Sequence, residues 1–427
     1  MFYNCSSDND LGVLVTTLEQ GINDRSARVA VVGLGYVGFP LAQRAIEAGY
    51  PVVGIDKYLT DERDKELADA GIQVERGFDS VEQCDIVLIC VPTPLVDGEQ
   101  PDISFITDAV EDIARHLSHT EMLVVLESTS YPGTTRELLL PVLEKAGKRL
   151  GQGLNLAYAP ERVDPGDNRP DYADIPRVVG GLDEESGRLA AAFYETLVSE
   201  VTLVPTPEVA EMAKLLENIF RAVNIALVNE MSLLCRRMGI DIWDVVDAAA
   251  TKPFGFMSFK PGPGLGGHCI PVDPFYLAWK AKQYDFYPEF IELAGKINKS
   301  MPFHMVQWVS EALNSVGKSK KGSKVLVIGV TYKEDVADTR ESPALRITEL
   351  LAERGAEVSY HDPYVERLEI AGKEYVSVPL DEATVGGSDC ILILTAHSNI
   401  DLDLIRSAGG LVVDTRNALR HHPHVKG

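Results

Sequence analysis

Six cysteines in 427 residues (Cys5, Cys84, Cys90, Cys235, Cys269 and Cys390) stand far apart, with no C-x-x-C pair and no histidine cluster at metal spacing. That scarcity excludes a disulfide-stapled scaffold and gives no reason to expect a metal. His421, His422 and His424 near the end read as a tail rather than a ligand set. No apolar run reaches the ~18 residues of a membrane span, and residues 1–10 lack the basic start of a secretion signal. Positive charge is also short: 40 Lys and Arg against 64 Asp and Glu leave a net of -24, which repels phosphate backbones and anionic lipid. Nucleic acid and membrane surfaces are therefore not expected partners, and a reduced cytoplasmic location fits best. What is present, 45% hydrophobic and 24% charged residues, supports sizeable cores.

From Arg28 onward, short β-branched runs at 29–32, 52–56, 85–91, 123–126, 156–159 and 201–204 alternate with amphipathic stretches. That alternation predicts an α/β fold with a doubly wound parallel sheet. A second series follows the polar stretch 317–323, at 325–328, 357–360, 390–394 and 411–414. Residues 208–238 hold no Gly or Pro and carry apolar residues at helical spacing, which predicts one long helix between the two series. The expected organisation is an N-terminal extension (1–25), a Rossmann domain (26–204), a central helical domain (205–316) and a second Rossmann-like domain (317–427). The two α/β halves read as distant duplicates, of which only the first has a full glycine pattern.

That pattern is VAVVGLGYVG, with Gly33, Leu34, Gly35, Tyr36, Val37 and Gly38 forming G-x-G-x-x-G between a strand and a helix-capable stretch. Gly33 permits the tight turn, Gly35 lets a pyrophosphate approach, and Gly38 lets helix and sheet pack closely. Asp56 is placed to accept from both ribose hydroxyls, and a carboxylate there repels a 2′-phosphate, so the expected cofactor is NAD rather than NADP. Two later strand ends carry Thr93 and the triplet Glu127, Ser128, Thr129, whose hydroxyls could contact nicotinamide ribose or substrate, with turn capping as the alternative. On the long helix, Lys214 and Asn218 share one face and would make an oxyanion site if buried; a solvated face is the alternative.

Residues 254–274 hold five glycines and, with Pro253, five prolines, a density that no regular element survives. A loop this long persists when it shapes a site. It contains Cys269, closely preceded by Gly266 and Gly267, and four residues later Asp273. The pairing of an approachable thiol with a nearby Lys214 points to nucleophilic chemistry.

With those motifs, and with VPTP at 91–94 and YKEDVADTRESP at 332–343, the chain from 28 to about 420 resembles the UDP-glucose/GDP-mannose dehydrogenase family of nucleotide-sugar 6-dehydrogenases. The resemblance implies an NAD-binding N-terminal domain, a central dimerising helix with a homodimer or larger assembly, and a C-terminal UDP-binding domain. It implies a four-electron oxidation of a primary alcohol to an acid, with Cys269 holding the aldehyde as a thiohemiacetal and then a thioester. Lys214 and Asn218 would stabilise oxyanions, Asp273 would move a proton or hold water, and Thr129 and Glu161 would join the catalytic set. The stretch PERVDPG at 160–166 places Pro165 where the glucose enzymes carry a second glutamate, leaving Glu161 or Asp164 as candidates for its role. This variant is similar to the branch acting on UDP-N-acetylhexosamines, above all UDP-N-acetylglucosamine, for surface polysaccharide synthesis, with UDP-N-acetylmannosamine or UDP-glucose as the alternative substrate. By the same resemblance Glu161, Arg162, Lys214, Asn218, Phe259, Lys260, Gly262, Gly266, Lys333 and Arg416 would bind substrate and Arg340 the cofactor side. Surface ion pairs are the alternative for the cations. The competing readings are a single-step hydroxyacid dehydrogenase, which needs neither Cys269 nor a second α/β domain, and a non-catalytic NAD or UDP-sugar sensor.

Overall fold

A computed structural model describes residues 17–96, 100–117, 121–162, 172–267, 270–407 and 409–420. Cys269, Asp164, Pro165 and the C-terminal histidines lie outside the described residues. The described chain forms two compact units, one drawn from 1–94, 102–163 and 170–214, the other from 95–101 and 215–427.

The first unit is built on a nine-stranded sheet. Its main strands are β1 (Val29–Val32), β2 (Val52–Ile55), β3 (Gln73–Glu75), β4 (Ile86–Ile89), β5 (Met122–Leu126), β6 (Gly153–Tyr158), β7 (Arg177–Gly181) and β8 (Val201–Val204). They lie in the order 8-7-6-5-4-1-2-3, with the short Arg149–Leu150 paired beside β6. The central strands VAVV, IVLI and MLVVL are buried on both faces, which explains their unbroken apolar sequence. Between β1 and β4 the strand order reverses, and ligands of such sheets bind outside that reversal. Two strands depart from the all-parallel expectation: β7 runs antiparallel to β6, with Gly180 opposite Tyr158 and Gly181 opposite Ala157, and β8, parallel to β7, is reversed with it. Upstream of β1, the helix Thr17–Asp24 adds Leu18 and Ile22 to this unit's core.

The 32-residue helix α2 (Pro207–Met238) is as long as the sequence predicts, about 48 Å at the usual rise. It is preceded in the chain by α1 (Gly38–Glu47), which follows the glycine turn, and the division between units falls within α2, after Lys214. In the second unit, α3 (Asp273–Ala281) and α4 (Glu289–Ser315) follow the glycine-rich loop. The loop ends sooner than its composition suggests, because Asp273 and Pro274 already open α3; proline at a first helical turn loses no hydrogen bond there. The sheet comprises β9 (Lys324–Ile328), β10 (Glu357–His361), β11 (Cys390–Ile393) and β12 (Val412–Asp414), all parallel, in the order 10-9-11-12. Met301, Met305, Val309 and Leu313 of α4 pack with Leu350 and Leu351 of α5 (Pro343–Glu353) in its core. Among the described residues no helix is long and apolar enough to cross a membrane.

Candidate functional site

In the first unit, Gly33 stands at φ +90° at the end of β1, and its N–H bonds the Ile55 carbonyl at 2.8 Å. A methyl on Gly33 would lie 2.6 Å from the Cys90 carbonyl, and one on Gly38 would lie 1.8 Å from the Gly33 carbonyl. Gly35 is different: no atom lies within 4 Å of where its Cβ would be. Two glycines are thus required by the protein itself, and the third leaves open space beside the helix start. No side chain caps α1; the Phe39 N–H bonds the Gly35 carbonyl at 3.1 Å and Pro40 has no N–H, so an anion would meet the positive end of the helix at the turn before Gly38. Asp56 accepts from the Leu34 N–H at 2.9 Å and the Tyr58 N–H at 2.9 Å, which fixes its carboxylate beside the turn with lone pairs to spare. Tyr36, within the turn, is exposed. A cradle with open space at Gly35, an uncapped helix and a fixed carboxylate fits the pyrophosphate and ribose of NAD.

The strand ends beyond the turn are tied together. Ser128 donates to the Val91 carbonyl at 2.8 Å, Thr93 is buried and Thr129 half-buried. Behind them lies a buried cluster with no counterpart in the sequence reading. Arg177, 3% exposed, reaches Glu127, 1% exposed, at 3.1 Å, and donates to the Pro160 carbonyl at 2.8 Å; Tyr194 and Tyr172 complete it. Burial drives the Glu127 carboxyl up to about 7 although Arg177 and Tyr194 pull it down. Glu161 follows Pro160, and its carbonyl accepts from the Lys214 ammonium. Arg162 donates to the Pro176 carbonyl at 2.8 Å. Three cations therefore clamp the backbone from 160 to 162 and 176 to 177. Near the start of α2, buried Glu211 accepts from the Gly133 N–H at 2.6 Å and from the Thr135 N–H and hydroxyl at 2.9 and 2.7 Å, fixing the turn after Thr129.

Lys214 and Asn218 are each 8% exposed, so the solvated-face alternative falls. In the second unit Asn218 donates to Asp273 at 2.5 Å, and Asp273 is itself buried at the head of α3. The amide N–H groups of Asn218 thus keep a carboxylate oxygen fixed, which suits proton handling by Asp273.

The glycine loop is held residue by residue. The Gly262 N–H bonds Asn229 at 2.9 Å, Asn229 bonds Asn298 at 3.0 Å, and Asn298 bonds the Ala222 carbonyl at 3.1 Å. Pro302, inside α4, has no N–H to offer the Asn298 carbonyl, and Gly264, at φ +133°, packs so close that its Cβ would stand 3.1 Å from that oxygen. Gly266 and Gly267 seat on Tyr332, where added methyls would fall 2.6 and 2.8 Å from its side chain, and the Gly267 N–H bonds the Arg340 carbonyl at 3.1 Å. A methyl on Gly262 would meet the Arg416 guanidinium at 2.8 Å. The segment carrying Lys333 and Arg340 therefore lies against the loop that brackets Cys269. A cavity of about 480 Å³ is lined by Ile219, Leu265, Ile270, Pro274, Asn298 and Pro343 in the same unit. Arg340 engages Asp338 through paired contacts, the shortest 2.6 Å; Arg416 donates to the Leu394 carbonyl at 2.7 Å. Phe259 packs edge-on against Phe220 at 5.8 Å, and Lys260 is exposed.

Burial pushes the thiols of Cys84 and Cys390 up, to about 11 and about 12, and Cys90 well above its usual value. These three are inert packing residues. Asn298 and Arg177 are the supports that sequence reasoning missed; a lone Asn in a helix and a lone Arg opening a strand carry no local sign of a buried partner.

Three stretches match the UDP-glucose/GDP-mannose dehydrogenase family: its NAD binding domain at 59–198, its central domain at 208–300 and its UDP binding domain at 326–421. The chain is 34% identical over 424 residues to a UDP-N-acetyl-D-mannosamine dehydrogenase of Methanococcus maripaludis, covering 92% of this chain and 94% of that one. It is 35% identical over 404 residues to a UDP-N-acetyl-D-glucosamine 6-dehydrogenase of Pseudomonas aeruginosa, covering 90% and 94%. The solved UDP-D-ManNAc dehydrogenase of Pyrococcus horikoshii superposes with a TM-score of 0.82 at 33% identity, covering 93% and 97%. The dinucleotide turn, the two Rossmann-like sheets and these matches along the chain agree: it belongs to the UDP-glucose/GDP-mannose dehydrogenase family and is an NAD-dependent UDP-sugar dehydrogenase.

Proposed function

We propose that the chain oxidises the C6 hydroxyl of a UDP-N-acetylhexosamine to the uronic acid, with UDP-N-acetylglucosamine as substrate and UDP-N-acetylmannosamine as the alternative. The observation that carries this reading is the loop 262–267, held through Asn229, Asn298, Tyr332 and Arg340 on both its helical and its C-terminal side. Such restraint on a loop without regular structure is what a covalent catalyst at Cys269 requires. Relatives named for the mannosamine and glucosamine substrates match at 34% and 35% identity, which supports an N-acetylated sugar. PERVDPG, with Pro165 in place of a glutamate, supports the same branch.

NAD, when bound along Gly33 to Gly38 and Asp56, accepts hydride, and a primary alcohol must lose two hydrides to become an acid. Cys269 keeps the carbon in place between the two oxidations. Its thiolate adds to the aldehyde carbonyl, the oxidised adduct is a thioester, and water then releases the acid and restores the thiolate. Lys214 and Asn218 offer N–H donors to the oxygens that gain charge, and Asp273 or Glu161 takes the proton. Thr129 and Thr93 flank the cofactor, while Arg162, Phe259, Lys260, Lys333 and Arg416 hold the sugar nucleotide and Arg340 the cofactor side. Exposed Leu216, Phe220, Leu227 and Leu234 on α2 support a homodimer, and a reduced catalytic thiol supports a cytoplasmic setting.

The test is a panel of UDP-sugars with NAD, following NADH and acid. Two NADH per UDP-N-acetylglucosamine, turned over faster than UDP-glucose, is the expected result. One NADH with free aldehyde would reject double oxidation, and faster turnover of UDP-glucose would reject the N-acetyl preference.

A further inference from the structure

The second unit repeats the hydrogen-bond pattern of the dinucleotide turn at its own first strand. Gly329 stands at φ +79° after β9 and its N–H bonds the His361 carbonyl at 2.9 Å, as Gly33 bonds Ile55. The next N–H, of Val330, bonds Asp362 at 2.7 Å, as Leu34 bonds Asp56, and Tyr364 bonds the other oxygen of Asp362 at 2.8 Å, as Tyr58 does in the first unit. The two acids then part company. Asp56 is partly exposed, whereas Asp362 is 3% exposed and a buried histidine, His397, 2% exposed, takes up its remaining capacity. The closed acid cannot serve a ribose.

Its histidine has a defined proton. The backbone N–H of Asp335 points at Nδ1 of His397 at 3.0 Å, so Nδ1 is an acceptor and the hydrogen sits on Nε2. Nε2 is 3.1 Å from Asp362 and 3.2 Å from the Thr331 hydroxyl, which both accept. The Thr331 hydroxyl in turn donates to the Lys333 carbonyl at 2.8 Å, and Thr395 donates to the Thr331 carbonyl at 2.7 Å. Burial alone would raise Asp362, but bonds from His397, Val330 and Tyr364 outweigh it and hold the carboxyl below its usual range. Every polar atom named here has a partner, and the chain of bonds ends on both sides of Lys333.

We infer that His397 is a positioning residue for substrate: with Asp362 it fixes the backbone of residues 331–335 so that Lys333 meets the diphosphate of the UDP-sugar. The inference rests on the assignment of Lys333 to substrate given above. What was a ribose acceptor in the first half has become, in the second, an anchor for a phosphate-binding loop.

Two replacements of His397 separate its two bonds. In His397→Gln the amide nitrogen can replace Nε2 toward Asp362, but nothing replaces the acceptor for the Asp335 N–H. In His397→Asn the amide oxygen can stand at Nδ1 and accept from Asp335. Calorimetric titration with UDP should show about tenfold weaker binding for His397→Gln, and binding within about threefold of wild type for His397→Asn. The KM for UDP-sugar should follow the same order, with kcat and NAD affinity little changed. Thr331→Val, which leaves His397 and Asp362 paired but cuts the link to the Lys333 carbonyl, should also weaken UDP and serves if the histidine variants fail to fold. Wild-type UDP affinity in His397→Gln or Thr331→Val overturns the inference, as does equal weakening in the Gln and Asn variants. Lys333→Ala distinguishes the layers: weakened UDP binding there, with His397→Gln unaffected, sinks the positioning role alone, while unaffected binding in Lys333→Ala overturns both.

Discussion

Gly35 and Gly38 belong to one motif, yet the structure separates the reasons for them, and alanine at each should fail differently. A methyl on Gly38 would stand 1.8 Å from the Gly33 carbonyl oxygen and 3.1 Å from the Cys90 side chain. Both elements facing the first contact are backbone, so the start of α1 must move by more than ~1 Å, and overpacking of this kind costs about 1–3 kcal/mol. For a unit of this size that lowers the melting temperature by roughly 2–10 °C. Gly35 is exposed, has no atom within 4 Å of its Cβ position, and is not at a positive φ, so Gly35→Ala should change stability by less than ~0.5 kcal/mol. Its methyl would instead fill the space a pyrophosphate needs, and NAD affinity should fall about tenfold or more, equivalent to ~1.4 kcal/mol. Scanning calorimetry without cofactor and NAD titration of the two variants measure both quantities. A Gly35→Ala protein that melts as low as Gly38→Ala, or that binds NAD like wild type, would refute this division of labour.

Cys269→Ala should abolish acid formation while NAD affinity at the Gly33 turn stays normal, as read by product analysis and titration; near-normal NADH with acid as product would make the cysteine structural. Asn229→Ala leaves the Gly262 N–H and the Asn298 side chain without their partner and should cost about 1–3 kcal/mol in urea unfolding. Arg177→Met leaves Glu127 and the Pro160 carbonyl without their buried donor and should cost about 1–3 kcal/mol at pH 8. Glu127 already titrates near 7, above its unfolded value, so its burial penalty is absent below ~4.5 and grows as pH rises; the variant's deficit should therefore be larger at pH 8 than at pH 5. A deficit independent of pH would place the cost elsewhere.

Much of this fold is written in local pattern. The buried strands 29–32, 86–89 and 122–126 and the helix 207–238 are visible because one residue type or one spacing persists through them. The direction of β7 is not, since RVVGG pairs equally well either way and only its neighbours decide. The glycine motif announces itself because two of its three glycines obey close backbone contacts. Cys269 and Asp273 stand out by their company in a loop of breakers. Arg177, Asn298 and the Asp362–His397 pair were illegible for the opposite reason: a buried polar side chain is defined by partners distant in sequence, 50 residues away for Arg177 and Glu127 and 35 for His397 and Asp362. Lys214 shows the middle case, visible as a candidate by spacing while its bond to the Glu161 carbonyl depended on the fold.

The proline within α4 bears on any effort to harden this enzyme. Proline in a helix interior is disfavoured by ~3 kcal/mol, so Pro302 is the first position that stability engineering would change. A residue with an N–H at 302 would draw the Asn298 carbonyl back into the helical ladder, and Gly264 now rests against that carbonyl. The hardened helix would come with a shifted glycine loop and a slower catalyst. The weak point in the helix is therefore a setting for the loop, and thermal tolerance gained at 302 would be taken from turnover.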